Sequence, residues 1–155
     1  MDEANVKQHF GTLKNPKPEF TRLDCYFNID SATGRIRGAS IFGPADATAV
    51  LRPVFPQFRE WGVAGINVTS SRAIGGTDST SFNNAGLPGV GFQQDPIEYG
   101  ALTHHTNLDT YERLIPQDVK ETAVLTVSTV RHVANGDAML PRFTKEQMPA
   151  LVEPR

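Results

Sequence analysis

Between Leu23 and Ile29 apolar and polar residues alternate: Leu23, Cys25, Phe27 and Ile29 against Asp24, Tyr26 and Asn28. A period of two marks a strand with one buried face, so a strand is expected over 22–30. Turn-forming Ser31-Ala32-Thr33-Gly34 follows, and 35–42 alternates again through Ile36 and Ile41. The economical reading joins the two strands in a hairpin. Over 46–61, Val50, Leu51, Val54, Phe55, Phe58 and Trp61 fall at helical spacing. Pro53 and Pro56 interrupt them, because each lacks a donor N–H and crowds the preceding turn. The expectation is one short turn, then a helix that starts near Pro53 or Pro56 and ends at Gly62. A short strand over 65–70, a glycine-rich loop, a short helix to Ala85 and a strand over 89–93 follow. The strongest helical signal covers 117–135, where Val119, Ala123, Val127, Val130 and Ala134 step by four, four, three and four. Pro116 stands at its entrance and Gly136 just past its exit, the usual asymmetry. Strands alternating with helices predict an α/β fold. A single domain over 1–155 is expected, with 1–20 a short helix and linker and 137–155 a tail along the surface.

Charge narrows the function classes. Fifteen Lys plus Arg stand against 17 Asp plus Glu, a net charge of −2 in 155 residues. Such a chain cannot neutralise many phosphates, so no nucleic-acid partner is expected. No apolar run approaches the roughly 18 residues a spanning helix needs, so no membrane partner is expected either. The first residues carry neither a basic segment nor an apolar one, hence no secretory signal is read there. Cys25 is the single cysteine, which excludes an internal disulfide and a Cys-based zinc site. Its apolar surroundings predict an inert thiol.

Three clusters of chemically capable residues stand where strands or loops end. Asp30 closes the first strand, at the sheet edge where α/β proteins gather ligands. It also reads as a turn-former that bonds its own backbone. Gly75-Gly76-Thr77-Asp78 resembles a phosphate cradle but lacks the Lys-Ser/Thr pair of a P-loop. Thr77 or Asp78 equally suits a cap on the helix that follows. In Thr103-His104-His105-Thr106-Asn107-Leu108-Asp109, adjacent histidines with Asp109 four residues beyond His105 suit a metal ligand steadied by a carboxylate. The plain alternative is a pair of surface histidines. His9 and His132 read as a terminal and a helix-surface residue.

Taken in order, several motifs resemble one family. They are Tyr26-Phe27-Asn28-Ile29-Asp30, Thr33-Gly34-Arg35-Ile36-Arg37-Gly38, Gly75-Gly76-Thr77-Asp78, Ser81-Phe82, Ala85-Gly86-Leu87-Pro88-Gly89, Phe92-Gln93-Gln94-Asp95-Pro96, His104-His105-Thr106 and Leu140-Pro141-Arg142. The likeness, over roughly 5–143, is to the C-terminal half of the co-catalytic zinc exopeptidases related to aminopeptidases, carboxypeptidase Q and glutamate carboxypeptidase. It implies part of a three-layer sandwich on a mixed, mainly parallel sheet, with the N-terminal half of the domain missing. It also implies two zinc ions that share a bridging aspartate and activate a water against a peptide substrate, while a glutamate takes the proton. By resemblance Asp30 is a carboxylate ligand of one zinc and His105 the imidazole ligand of the other. His104 stands where relatives often carry a tyrosine that hydrogen-bonds the oxyanion. Asp78 and Asp109 are carboxylates behind the ligands. Ser79 departs from the histidine of the nearest pattern.

The family's His-x-Asp pair, bridging aspartate and Glu-Glu pair have no counterpart before Asp30. Each cation is left with one protein ligand where about three are needed. The expectations that follow are an incomplete zinc site with weak or absent metal, a chain inactive alone, and a homodimer or larger assembly that covers the sheet's exposed edge and face. The alternative is a non-catalytic relative that serves as a binding or self-associating module.

Overall fold

The computed structural model describes residues 16–30, 33–73 and 77–150. Four strands form one open sheet: β1 (Tyr26–Asn28), β2 (Ile36–Phe42), β3 (Gly65–Thr69) and β4 (Gly89–Gln94), in the order β1-β4-β2-β3. β1 pairs with β4 and β2 with β3 in parallel, while β2 and β4 are antiparallel. The sheet is therefore mixed and mainly parallel, flanked by helices, an α/β sandwich.

The expected hairpin does not form. β1 and β2 do run in opposite directions, as a hairpin would require, but β4 lies between them. Val90 and Phe92 of β4 are 0% and 4% exposed, with Val90 in register with both Phe27 and Ile41. An apolar strand 60 residues along the chain outcompetes the local partner because its insertion buries both faces of the centre. Phe27 stacks on Phe92 with ring centres 6.0 Å apart.

Val50, Leu51, Val54, Phe55 and Phe58 do point to the core, but the backbone that carries them is not the expected α-helix. It runs as turns over 45–54 and then as a 3-10 helix, Phe55–Trp61, with a kink at Phe58. Two prolines without N–H groups deny it an i→i−4 ladder. Gly62 ends it in the left-handed region at φ 79°, where a side chain would be strained.

Helix α1 (Ser79–Asn84) packs on the other face at β1 and β4, with Phe82 stacked on Tyr26 at 4.1 Å. Gly89 permits this approach, since a Cβ there would collide with Asn83 Oδ1. That oxygen accepts the Gly89 N–H at 2.9 Å.

Helix α2 (Pro116–Ala134) lies on the core face and turns inward Asp118, Leu125, Thr129 and Val133. The stripe singled out by hydropathy faces outward instead: Val119, Val127 and Val130 are 43%, 64% and 40% exposed. Thr122, Thr126 and Thr129 occupy the inner side at modest cost, because each hydroxyl donates to a backbone carbonyl and its methyl packs. Asp118 is held by Arg35 at 2.8 Å. Beyond the helix, Leu140 is 2% exposed within the core and Phe143 meets Phe42 edge-on. Among the described residues no helix is long and apolar enough to cross a membrane.

Candidate functional site

Because β1 and β4 are parallel, their C-terminal ends open on one side of the sheet, where α/β folds bind ligands. Asp30 stands two residues past β1. The 95–115 segment leaves β4 and folds across the same edge. Between them lies a cleft of about 290 Å³ lined by Asp30, Tyr99, His104, His105, Asp109 and Arg113, among others. A neighbouring depression shares Asp30 and adds Thr77, Asp78 and Thr126 of α2. The five candidate residues, drawn from three separate stretches of the chain, thus surround one strand end.

The histidine segment is fastened from several directions. A π-helical turn, Tyr99–Thr103, delivers His104. The rings of Tyr99 and His104 lie 4.6 Å apart, and those of His104 and His105 3.9 Å apart. Thr106 Oγ1 donates to Leu102 O at 2.6 Å and accepts from Leu108 N at 3.2 Å. Arg113 donates to Leu108 O at 2.7 Å and pairs with Glu98. At the root of the segment, Arg37 grips Asp95 through Nε and Nη2. The guanidinium holds the Asp95 carboxyl below the ordinary carboxylate range.

Backbone strain is concentrated here too. Among the described residues, the non-glycine residues with positive φ are Ile97 (30°), Glu98 (55°) and His105 (58°). A β-branched residue at such a φ is a true outlier. Strain of this kind costs on the order of 1–3 kcal/mol per residue and collects at functional sites.

Asp78 begins α1, but its side chain makes no capping hydrogen bond, so capping does not account for it. Among the described residues no hydrogen bond joins Asp109 to His105; they share the cleft only. Gly75, Gly76 and His9 lie outside the described residues. His132, on the surface of α2, bonds Val50 O through Nε2 at 2.8 Å. Burial, with Asp24 adding to it, pushes the Cys25 thiol up to about 12, a pKa that leaves almost no thiolate near neutrality. Tyr99, Glu98 and Arg113 escaped the sequence reading. Tyr99 carried a usable signal, an aromatic one turn ahead of His104, whereas the Glu98–Arg113 pair spans fifteen residues and carried none.

Among the described residues, no group of three or more His, Cys, Asp or Glu side chains is placed to hold a metal ion. A search of curated proteins returns no match, and neither does one of solved structures. The profile of peptidase family M28, by contrast, matches residues 8–130, more than half the chain. A mixed open sheet with a polar cleft at its C-terminal strand edge agrees with that assignment. The chain belongs to peptidase family M28, the zinc-dependent metallopeptidases.

Proposed function

We propose that this chain is the C-terminal portion of a zinc exopeptidase catalytic domain and contributes one wall of its active site. The observation that carries the reading is the convergence of Asp30, His104, His105 and Asp109 on one cleft. In this reading Asp30 and His105 each supply one ligand, to different ions. His104, stacked against Tyr99, offers an imidazole N–H to an oxyanion. Asp109 and Asp78 orient the groups around them. The described residues do not fit a zinc ion on their own: Asp30, His104, His105 and Asp109 share a cleft, but no three His, Cys, Asp or Glu side chains are placed to hold one ion, and a catalytic zinc takes about three protein ligands. No catalytic step is therefore assigned to the described residues alone; in this reading the remaining donors come from outside them.

The test is metal analysis and assay of the same purified protein. After incubation with zinc and dialysis, well under one equivalent is expected by elemental analysis. No turnover of aminoacyl-nitroanilide or dipeptide substrates should be detectable. Stoichiometric zinc together with robust hydrolysis abolished in His105→Ala would overturn the proposed incompleteness.

A second reading, a self-associating module, draws on the surface. Thr126 of α2 lines the depression beside β1, and Val119 and Val130 are its neighbours on the helix at seven and four residues' distance. Val119 and Val130 therefore stand toward the border of the depression beside β1. Whatever covers that side has to bring both a strand and an apolar helix face. A second copy brings both, so we propose a homodimer about a two-fold axis beside β1.

A further inference from the structure

Away from the cleft, with no lining residue in common, a groove of about 670 Å³ runs between the end of α1 and the 142–150 segment. Its lining includes Arg72, a residue only 7% exposed. Arginine is rarely buried to this degree without a carboxylate partner, yet all the acceptors of Arg72 are neutral. Nε donates to Pro149 O at 2.9 Å, Nη1 to Asn84 O at 3.4 Å, and Nη2 to Pro149 O. These account for three of the five N–H bonds a guanidinium carries. Two remain without a partner on a side chain that solvent barely reaches.

The rim adds to the imbalance. Arg142 and Lys145 line the groove; among the described residues no acidic side chain lines it and none of the three cations forms an ion pair. Glu146, next in the chain, does not line it. Arg142 spends one N–H on Leu23 O and lies 5.5 Å over the Phe20 ring. The remaining wall is apolar, chiefly Phe20, Phe143 and Met148. Arg72 also anchors the 148–150 segment through Pro149 O, but that tether needs only one edge of the guanidinium.

A buried cation with unused donors, two further cations and an apolar wall complement one kind of ligand. We propose that this groove is a binding site for an organic carboxylate with an apolar body, its carboxylate on Arg72 and its hydrocarbon against Phe20 and Met148. The carboxylate accepts parallel N–H bonds from a planar guanidinium, and burial of the apolar body separates such a ligand from inorganic anions.

Titration calorimetry on the full chain tests this with three probes: 3-phenylpropionate, its amide and inorganic phosphate. Saturable one-to-one binding is expected for the carboxylate, weakened by salt. The amide and phosphate should each bind at least about tenfold more weakly, roughly the worth of one charge-assisted hydrogen bond. Arg72→Gln removes the anchor of the tail as well as the site. The decisive variant is therefore Arg142→Gln/Lys145→Gln, which leaves the core intact and should weaken 3-phenylpropionate by about tenfold. Equal binding of the amide would reduce the groove to an apolar patch and overturn the proposal. So would phosphate binding as tight as the carboxylate, an unaffected double variant, or no saturation by about 10 mM. None of these outcomes bears on zinc or hydrolysis, so the two readings stand or fall separately.

Discussion

At the scale of single residues, the Asp95 carboxylate receives contacts from Arg37 at 2.8, 2.8 and 2.5 Å, where β4 gives way to the histidine segment. Arg37's hydrogen bonds are the main cause of its lowered pKa, with partial burial working against them. A depressed carboxyl favours the folded chain above its unfolded value of 3.8, and that contribution disappears as pH falls through the lower folded value. The two side chains are 42% and 34% exposed, so solvent screens the pair to about 0.5–1 kcal/mol. Asp95→Asn should lose about that much stability at neutral pH and nothing in strong acid, as read from urea midpoints at both. An equal loss under both conditions would place the effect in packing rather than charge. Asp30 and the two histidines were legible in the sequence because strand ends and polar loop clusters are local signals. The Arg37–Asp95 pair was not: 58 residues separate its members, and nothing local distinguishes either from a surface charge.

At the scale of the element, α2 separates helix existence from helix orientation. Its extent, Pro116–Ala134, follows from the entering proline, the period of the valines and the glycine beyond. Its orientation does not follow, because hydropathy counts threonine as polar and valine as core. In the fold, Thr122, Thr126 and Thr129 return their hydroxyls to carbonyls and face in, while Val127 stands 64% exposed. Leu125, at 1% exposed, is the true anchor. Leu125→Ala should cost about 2–4 kcal/mol through lost burial and a residual cavity. Val127→Ser should cost under about 0.5 kcal/mol when measured in protein dilute enough to keep copies apart. Chemical denaturation of the two variants ranks them, and the reverse order would mean that the helix is rotated. The failed hairpin has the same origin: alternation identified both strands, but only long-range burial chooses β4 as the neighbour of β1.

At the scale of the whole molecule, the sheet is covered unevenly. β2 is buried along most of its length and paired on both sides. Among the described residues β1 pairs only with β4, and Leu23 and Ile29 flank it at 46% and 43% exposed. Thr126 of α2 lines the depression at β1, and Val119, Val127 and Val130 of the same helix are exposed. An unpaired edge next to an apolar helix face is a template for another chain. A two-fold axis there would pair β1 with its copy in antiparallel fashion and bring the two α2 stripes together in one isologous interface. Light scattering at micromolar concentration should give twice the chain mass. Val127→Glu, which places a carboxylate in that interface at a position 64% exposed in the single chain, should halve the observed mass and leave the circular dichroism spectrum unchanged. With Cys25 replaced by serine, Val127→Cys should cross-link to its copy under mild oxidation, because residues near a two-fold axis approach their own images. A monomeric parent chain, or a Val127→Glu variant that keeps its dimer mass, would place the self-association surface elsewhere or remove it. Either result would leave intact the assignment of the cleft, which depends on β1 and β4 within one copy.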